Sequence, residues 1–209
     1  MRTFSPPRTT LHNQPVNIRQ RPGAGRVALV LPLMILLSFS WTSLTWAKTY
    51  HGQVVDEETG KPLEGAAVVV IWHKKPIVSM DAPEYFHDAR ETLTDGEGKF
   101  TLDASPAIDW NPFTVIKDPN IVIFQPGYEP FARLRTLTRQ GFRGFEDVDT
   151  AFQKGAVIKL PKLKNKDELR KFSSGGSLGI SGDVPFVKVP NLVRLLNVQG
   201  KMAGLKSFY

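Results

Sequence analysis

Three histidines follow the N-terminal segment, and they are the side chains best suited to acid–base or metal chemistry. They are His51, His73 and His87. A zinc hydrolase needs three protein ligands around an open coordination position, and no Glu follows these histidines at the close spacing of such sites. The chain has no cysteine, which excludes a thiol nucleophile, Cys-ligated zinc and disulfides. We therefore expect no catalytic residue, no cofactor and no metal site.

A surface metal site at His51 and His73 is an alternative, because both side chains can leave the outward faces of neighbouring strands. No third ligand accompanies them in the sequence, whereas zinc sites use three or four. The charged run HDARE at 87–91 is interpreted as a loop. Trp72 is interpreted as a core residue, with a ligand platform as the alternative. No phosphate-binding loop, dinucleotide fingerprint or Gly-x-Ser-x-Gly elbow occurs.

The charge of +7 is distributed unevenly along the chain. Residues 1–47 contain five Arg and no acid, and residues 161–209 contain nine basic and three acidic side chains. Between them, residues 48–160 contain 13 basic and 17 acidic side chains. The central part therefore lacks the basic surface of a nucleic-acid-binding domain, and we expect no nucleic-acid partner.

Residues 27–47 carry no charge and begin with the 13-residue apolar run VALVLPLMILLSF, which follows several arginines. A basic region, an apolar run and a small residue at the end are typical of a secretory signal peptide. Cleavage after Ala47 is expected, which places the protein in the periplasm or outside the cell. An uncleaved anchor is the alternative, because about 20 uncharged residues can span a bilayer. In that form the chain contacts the membrane through its N-terminal segment.

Short β-branched and aromatic runs separated by turn residues occupy the centre of the chain. They predict seven or eight strands and a β-sandwich rather than a helical protein. In the second run, Val68 and Val70 fall on one face and Val69 and Ile71 on the other, so we expect both faces to be covered, one by the facing sheet and one by loops or a partner. The predicted strands are residues 50–56, 66–73, 91–94, 99–103, 113–116, 121–125, 131–134 and 156–160.

Three long connections, residues 74–90, 104–112 and 135–155, are candidate recognition loops, because long loops in compact domains tend to be functional. Beyond Pro161 the chain becomes basic, and it predicts a short helix at 162–171, a flexible Gly/Ser linker and an amphipathic helix at 190–205. The domain division is therefore 1–47, 48–161 and 162–209. The terminal helix is interpreted as docking on its own domain, with a partner or membrane surface as the alternative.

Three blocks occur in a fixed order: GQVVDEETGKPLEGAAVVV from Gly52, TLTDGEGKF from Thr92 and IFQPGYEPF from Ile123. Their order and spacing resemble the carboxypeptidase regulatory-like domain family. The resemblance implies an antiparallel, Greek-key, transthyretin-like β-sandwich. It also implies an exported, non-catalytic accessory module that binds a protein or a carbohydrate at the cell envelope.

An enzyme with a similar fold, 5-hydroxyisourate hydrolase, supplies the alternative function. In that family histidines and an arginine surround the substrate, which by resemblance makes His51 with Arg133 or Arg135 the alternative catalytic set. The Tyr-Arg-Gly-Ser ending of that family is absent, because this chain ends in KSFY. A binding module is therefore the preferred interpretation.

Overall fold

The computed structural model describes residues 48–78, 81–132, 141–142 and 145–206. The predicted signal or anchor segment at 1–47 lies outside them, as do Arg133 and Arg135. The described residues belong to one compact unit. Within the described residues, no helix combines the length and apolar character that a bilayer crossing requires.

The described part of the chain is mostly β, as predicted, with eight strands in two sheets. The first sheet has the order β4-β1-β8, and the second has the order β3-β2-β6-β7 with β5 paired to the end of β2. The strands are β1 (Thr49–Asp56), β2 (Ala67–Pro76), β3 (Tyr85–Leu93), β4 (Lys99–Asp103), β5 (Thr114–Ile116), β6 (Asn120–Phe124), β7 (Phe131–Ala132) and β8 (Ala156–Leu160).

The helices of the described residues all follow β7. They are α1 (Phe145–Lys154), α2 (Lys166–Lys171) and α3 (Pro190–Met202), with 3-10 turns at Gly176–Leu178 and Phe186–Lys188. Helix α1 falls inside the predicted loop 135–155, so the expectation of a loop there was wrong. The prediction of a wholly antiparallel sheet was also wrong for one pair, because β8 runs parallel to β1. A parallel neighbour needs a long connection rather than a hairpin, and these two strands lie at opposite ends of the β region.

A single hydrophobic cluster joins the two sheets and α1. Tyr50 and Val54 enter it from the first sheet, Val70 and Ile123 from the second, and Phe152 from α1. Trp72 also belongs to it and is 2% exposed, so it is a core residue and not a ligand platform. The inward faces of both sheets thus meet in one core, which explains the alternating burial along β4.

A second cluster covers the other face of the second sheet. Val69, Ile71 and Phe124 project into it from the strands, and Leu192 and Leu196 meet them from α3. The outward apolar face of β2, for which the sequence required a cover, is therefore covered by the chain's own C-terminal tail. Both clusters lie between Tyr50 and Leu196, so we expect residues 48–209 to fold without the preceding segment.

Polar contacts fix α3 on this face. Glu91 of β3 accepts hydrogen bonds from the backbone N–H groups of Asn191 and Leu192, at 2.8 and 3.2 Å. The carboxylate thus satisfies free N–H groups at the positive end of the helix dipole. Farther along α3, buried Gln199 accepts a hydrogen bond from the backbone N–H of Gly127 at 2.7 Å. The tail is consequently held at both ends of the helix.

The turn residues of the three sequence blocks have definite structural roles. Asp56 accepts hydrogen bonds from the backbone N–H groups of Glu58 and Thr59, and Tyr128 donates its hydroxyl to the same carboxylate at 2.9 Å. The first and third blocks therefore meet at one carboxylate. Gly98 has a φ of +70°, and a Cβ there would overlap the carbonyl oxygen of Val54.

Candidate functional site

An open groove of about 420 Å³ lies on the outer face of the first sheet. Because side chains alternate along a strand, the burial of Tyr50 in the core turns its neighbour His51 outward. Antiparallel pairing places Thr101 of β4 opposite His51. Parallel pairing brings Val157 of β8 beside Gln53. The groove is lined by His51, Gly52, Gln53, Lys99, Phe100, Thr101, Gly155 and Val157.

Glycine at position 155 makes room for the imidazole. Its φ is +87°, and a Cβ there would lie 3.2 Å from Cδ2 of His51. At the other end of the groove, Lys99 pairs with Glu97 at 2.5 Å, and the hydrogen bond to that carboxylate raises the pKa of the Lys99 ammonium. Gln53 donates to the carbonyl oxygen of Glu97 at 2.8 Å. The groove thus combines a cation, an amide, a hydroxyl and an imidazole around apolar Val157.

His73 lies on the second sheet and joins a Ser-His-Asp cluster that does not have triad geometry. Its Nε2 is 2.7 Å from Oγ of Ser181, and the Ser181 hydroxyl donates to Asp183 at 2.5 Å. In a catalytic triad the carboxylate bonds to the imidazole nitrogen remote from serine. Here Asp183 lies 3.8 Å from the same Nε2 that contacts serine. The three residues therefore fasten the tail to β2.

His87 is part of β3 rather than of a charged loop, so that prediction was wrong. Its Nε2 lies 2.7 Å from the carbonyl oxygen of Ala107. The neighbouring Asp88 is buried and bonds to the Lys188 ammonium and to the Ala107 N–H, both at 3.0 Å. Burial alone would raise the pKa of Asp88, but these hydrogen bonds hold it below its ordinary value.

The structure does not bring together His51 and His73, the two histidines of the alternative metal site. His51 lies on the outer face of the first sheet, whereas His73 contacts the tail on the second. Among residues 48–206, as far as they are described, no group of three His, Cys, Asp or Glu side chains could hold a metal ion. Arg133 and Arg135, the alternative partners of His51, are outside the described residues.

A second exposed surface, the apolar tip, was not identified from the sequence. We define it as Ile77 and Val78 of the β2–β3 connection together with Ile108, Trp110 and Phe113 of the β4–β5 connection. The backbone N–H of Ile77 donates to the carbonyl oxygen of Phe113 at 2.8 Å, which sets the two connections side by side. Ile108 and Trp110 in the predicted loop 104–112 were the signal available in the sequence.

The carboxylate of Asp109 organises the longer of these connections. It accepts hydrogen bonds from the Thr114 hydroxyl and the Asn111 backbone N–H, and it pairs with Lys74 at 3.1 Å. Together these contacts lower the pKa of Asp109 to about 2, with the Thr114 hydrogen bond making the largest contribution. The tip is thus a structured turn on the end of β2 and β5.

Comparisons with known proteins identify no family for this chain. No protein-family model and no curated protein matches it. Among solved structures, it is similar to a 9R-lipoxygenase from Cyanothece PCC8801, at 16% identity and a TM-score of 0.23. That match covers 51% of this chain and 18% of the lipoxygenase chain. A likeness of this size supports no argument about fold or function.

Proposed function

We propose that this chain is an exported, non-catalytic accessory module that recognises a protein or a carbohydrate of the cell envelope in the groove around His51. The main observation that supports this proposal is a contrast between the outer faces of the two sheets. The chain's own tail covers the second sheet, whereas the groove remains open on the first. The apolar sheet face that could have received a partner is therefore already occupied.

The composition of the groove supports binding rather than catalysis. A histidine that acts as a general base is normally oriented by a further group, most often a carboxylate. The described lining contains His51, Lys99 and Thr101 but no Asp or Glu. A few polar groups around an apolar floor are instead typical of recognition sites.

The finer fold assignment belongs to the same proposal. A transthyretin-like, Greek-key β-sandwich of the carboxypeptidase regulatory-like kind accounts for two sheets that share one core. It also accounts for the contact of Tyr128 with Asp56, which links two of the three sequence blocks that carry the resemblance. The uncharged run at 27–47 supports export.

The rival function is a small hydrolase that uses His51 in the same groove. It is favoured by the accessible imidazole beside Gly155. Both functions place the ligand against His51, so a substitution in the groove would weaken binding and hydrolysis alike. Only a measurement of substrate turnover distinguishes the two functions.

Blocking the groove tests the proposal. Thr101→Trp places an indole opposite His51, and we expect it to weaken retention by about tenfold or more, because a filled site loses most of its ligand contacts. Residues 48–209 are incubated separately with isolated peptidoglycan and with detergent-solubilised envelope proteins, and the bound fraction is measured.

Thr49→Trp is the matched control, since Thr49 is an exposed threonine of β1 outside the groove lining. It should be retained like the unsubstituted protein. Equal retention of both variants, or no retention of the unsubstituted protein by either fraction, contradicts the proposal.

A further inference from the structure

We propose that the apolar tip inserts into the surface of a lipid bilayer. This interaction is separate from recognition in the groove and does not depend on it. The tip is unusually exposed for its composition, since soluble domains rarely leave contiguous apolar side chains in water. The exposed fractions are 86% for Trp110 and Val78, 74% for Ile108, 68% for Phe113 and 60% for Ile77.

The tip projects as two adjacent connections from the ends of strands rather than as a groove. A tryptophan and a phenylalanine among aliphatic side chains suit the boundary between lipid headgroups and acyl chains. A carbohydrate site would need hydrogen-bond donors and acceptors around the ring. In this loop the Asp109 carboxylate and the Asn111 side chain are already bonded within the turn.

Insertion also requires a surface that keeps its shape, because ordering a loose loop on binding costs free energy. The Asp109 contacts hold the β4–β5 connection, and the hydrogen bond from Ile77 to Phe113 holds the two connections together. In the same β4–β5 connection, the backbone N–H of Ala107 donates a hydrogen bond to buried Asp88. The apolar side chains are therefore presented from a folded base.

The position of the chain entry favours lipid over a protein partner. Lys48 donates its backbone N–H to Oγ of Ser105 at 3.0 Å, so β1 begins beside the connection that carries the tip. The three steps along the chain from Ser105 to Ile108 span at most about 11 Å. The uncharged run at 27–47 directly precedes this point. In the alternative, uncleaved form of the chain, a membrane anchor in that run would be joined directly to the strand end beside the tip.

The charges beside the tip are balanced, which determines the expected lipid dependence. Lys74 is paired with Asp109, and Lys75 and Lys117 are accompanied in the sequence near the tip by the acidic Asp81, Glu84 and Asp118. Attraction to anionic headgroups is therefore small. Insertion is expected to depend on apolar contact, and it should occur on neutral lipid and persist at high salt.

Tryptophan fluorescence of residues 48–209 reports the tip directly. Only two tryptophans occur in this range, Trp72 and Trp110. Trp72 is 2% exposed and Trp110 is 86% exposed. On titration with phosphatidylcholine vesicles, we expect the emission of Trp110 to shift to shorter wavelength and acrylamide quenching to fall. Vesicles with added phosphatidylglycerol should give a similar partition coefficient.

Phe113→Ser should lower the partition coefficient by about tenfold. Transfer of a phenylalanine side chain from water into an apolar environment raises that coefficient by about tenfold or more. Phe186→Ser is the matched control, since Phe186 is 57% exposed but lies in the tail. It should leave partition unchanged. Thr101→Trp should also leave the partition measured by co-sedimentation unchanged, so that a failure of the groove proposal is distinguishable from a failure of this one.

Three results overturn the proposal. One is the absence of a Trp110 shift with either vesicle composition. Another is binding that requires phosphatidylglycerol, disappears at high salt and leaves Trp110 quenching unaltered. The last is a Trp110 shift with solubilised envelope proteins but not with lipid, which would assign the tip to a protein partner.

Discussion

Removal of residues 162–209 is expected to abolish the cooperative unfolding transition of the domain. The truncation uncovers Val69, Ile71, Val122 and Phe124, all fully buried under the tail. Burial of each such side chain contributes about 1.5–3 kcal/mol, so the loss is on the order of 10 kcal/mol and comparable to the whole stability of a typical domain. Thermal melting and binding of a hydrophobic dye by the truncated protein are the measurements.

Two substitutions in α3 test whether the tail stabilises the domain through its buried side chains. Leu192→Ala removes a buried side chain that contacts the second sheet and should cost about 2–5 kcal/mol. Val198→Ala, on the more exposed side of the same helix, should change stability by less than about 0.5 kcal/mol. A truncated domain that melts within a few degrees of the full one would show that the tail is not part of the fold.

Phe152→Ala is expected to give the largest effect of any single substitution, a loss of about 3–5 kcal/mol in the free energy of unfolding. The ring of Phe152 is fully buried between the sheets. Its centroid lies 5.8 Å from those of Tyr50 and Phe100 and 6.0 Å from that of Phe131. Alanine leaves a cavity where α1, both sheets and three aromatic rings meet.

Chemical denaturation followed by circular dichroism measures this loss. Thr150→Ala is the control, because Thr150 is exposed on the same helix and alanine is compatible with helix. Its stability should remain within about 0.5 kcal/mol of the unsubstituted protein. Equal stability of the two variants would contradict the position of Phe152 in the shared core.

The sequence predicted strand limits best where the alternation of apolar residues and the position of turn residues agreed. Lys99–Asp103 and Ala156–Leu160 were predicted residue for residue. Both strands follow a glycine with positive φ, and one side of each faces the core, so a period of two and a turn residue mark their limits. The start of α3 at Pro190 was also predicted correctly, because proline is favoured at the first helical position.

The missed elements are those in which tertiary contacts outweigh the local pattern. Tyr85–Leu93 forms a nine-residue strand, but its polar side chains conceal the period and only 91–94 were predicted. Helix α1 was missed although Phe145, Val148 and Phe152 have helical spacing. The supposedly flexible linker in the tail contains fully buried Leu178, because the sheet beneath it supplies the packing.

The candidate site was predictable only in part, for a topological reason. The sequence singled out His51, and alternation alone turns it away from the core. Its neighbours Gly155 and Val157 lie at the start of β8 and within it, and β8 pairs in parallel with β1 about one hundred residues away. Such long-range pairing has no local signature in the sequence. The apolar tip likewise requires two connections to lie side by side.

The measurement that tests the central claim most directly is an assay of 5-hydroxyisourate hydrolysis by purified residues 48–209, with His51→Ala assayed in parallel. A non-catalytic binding module should give the same rate as the uncatalysed reaction, with no difference between the two proteins. Turnover above that rate which His51→Ala abolishes would contradict the account and establish an enzyme in the groove.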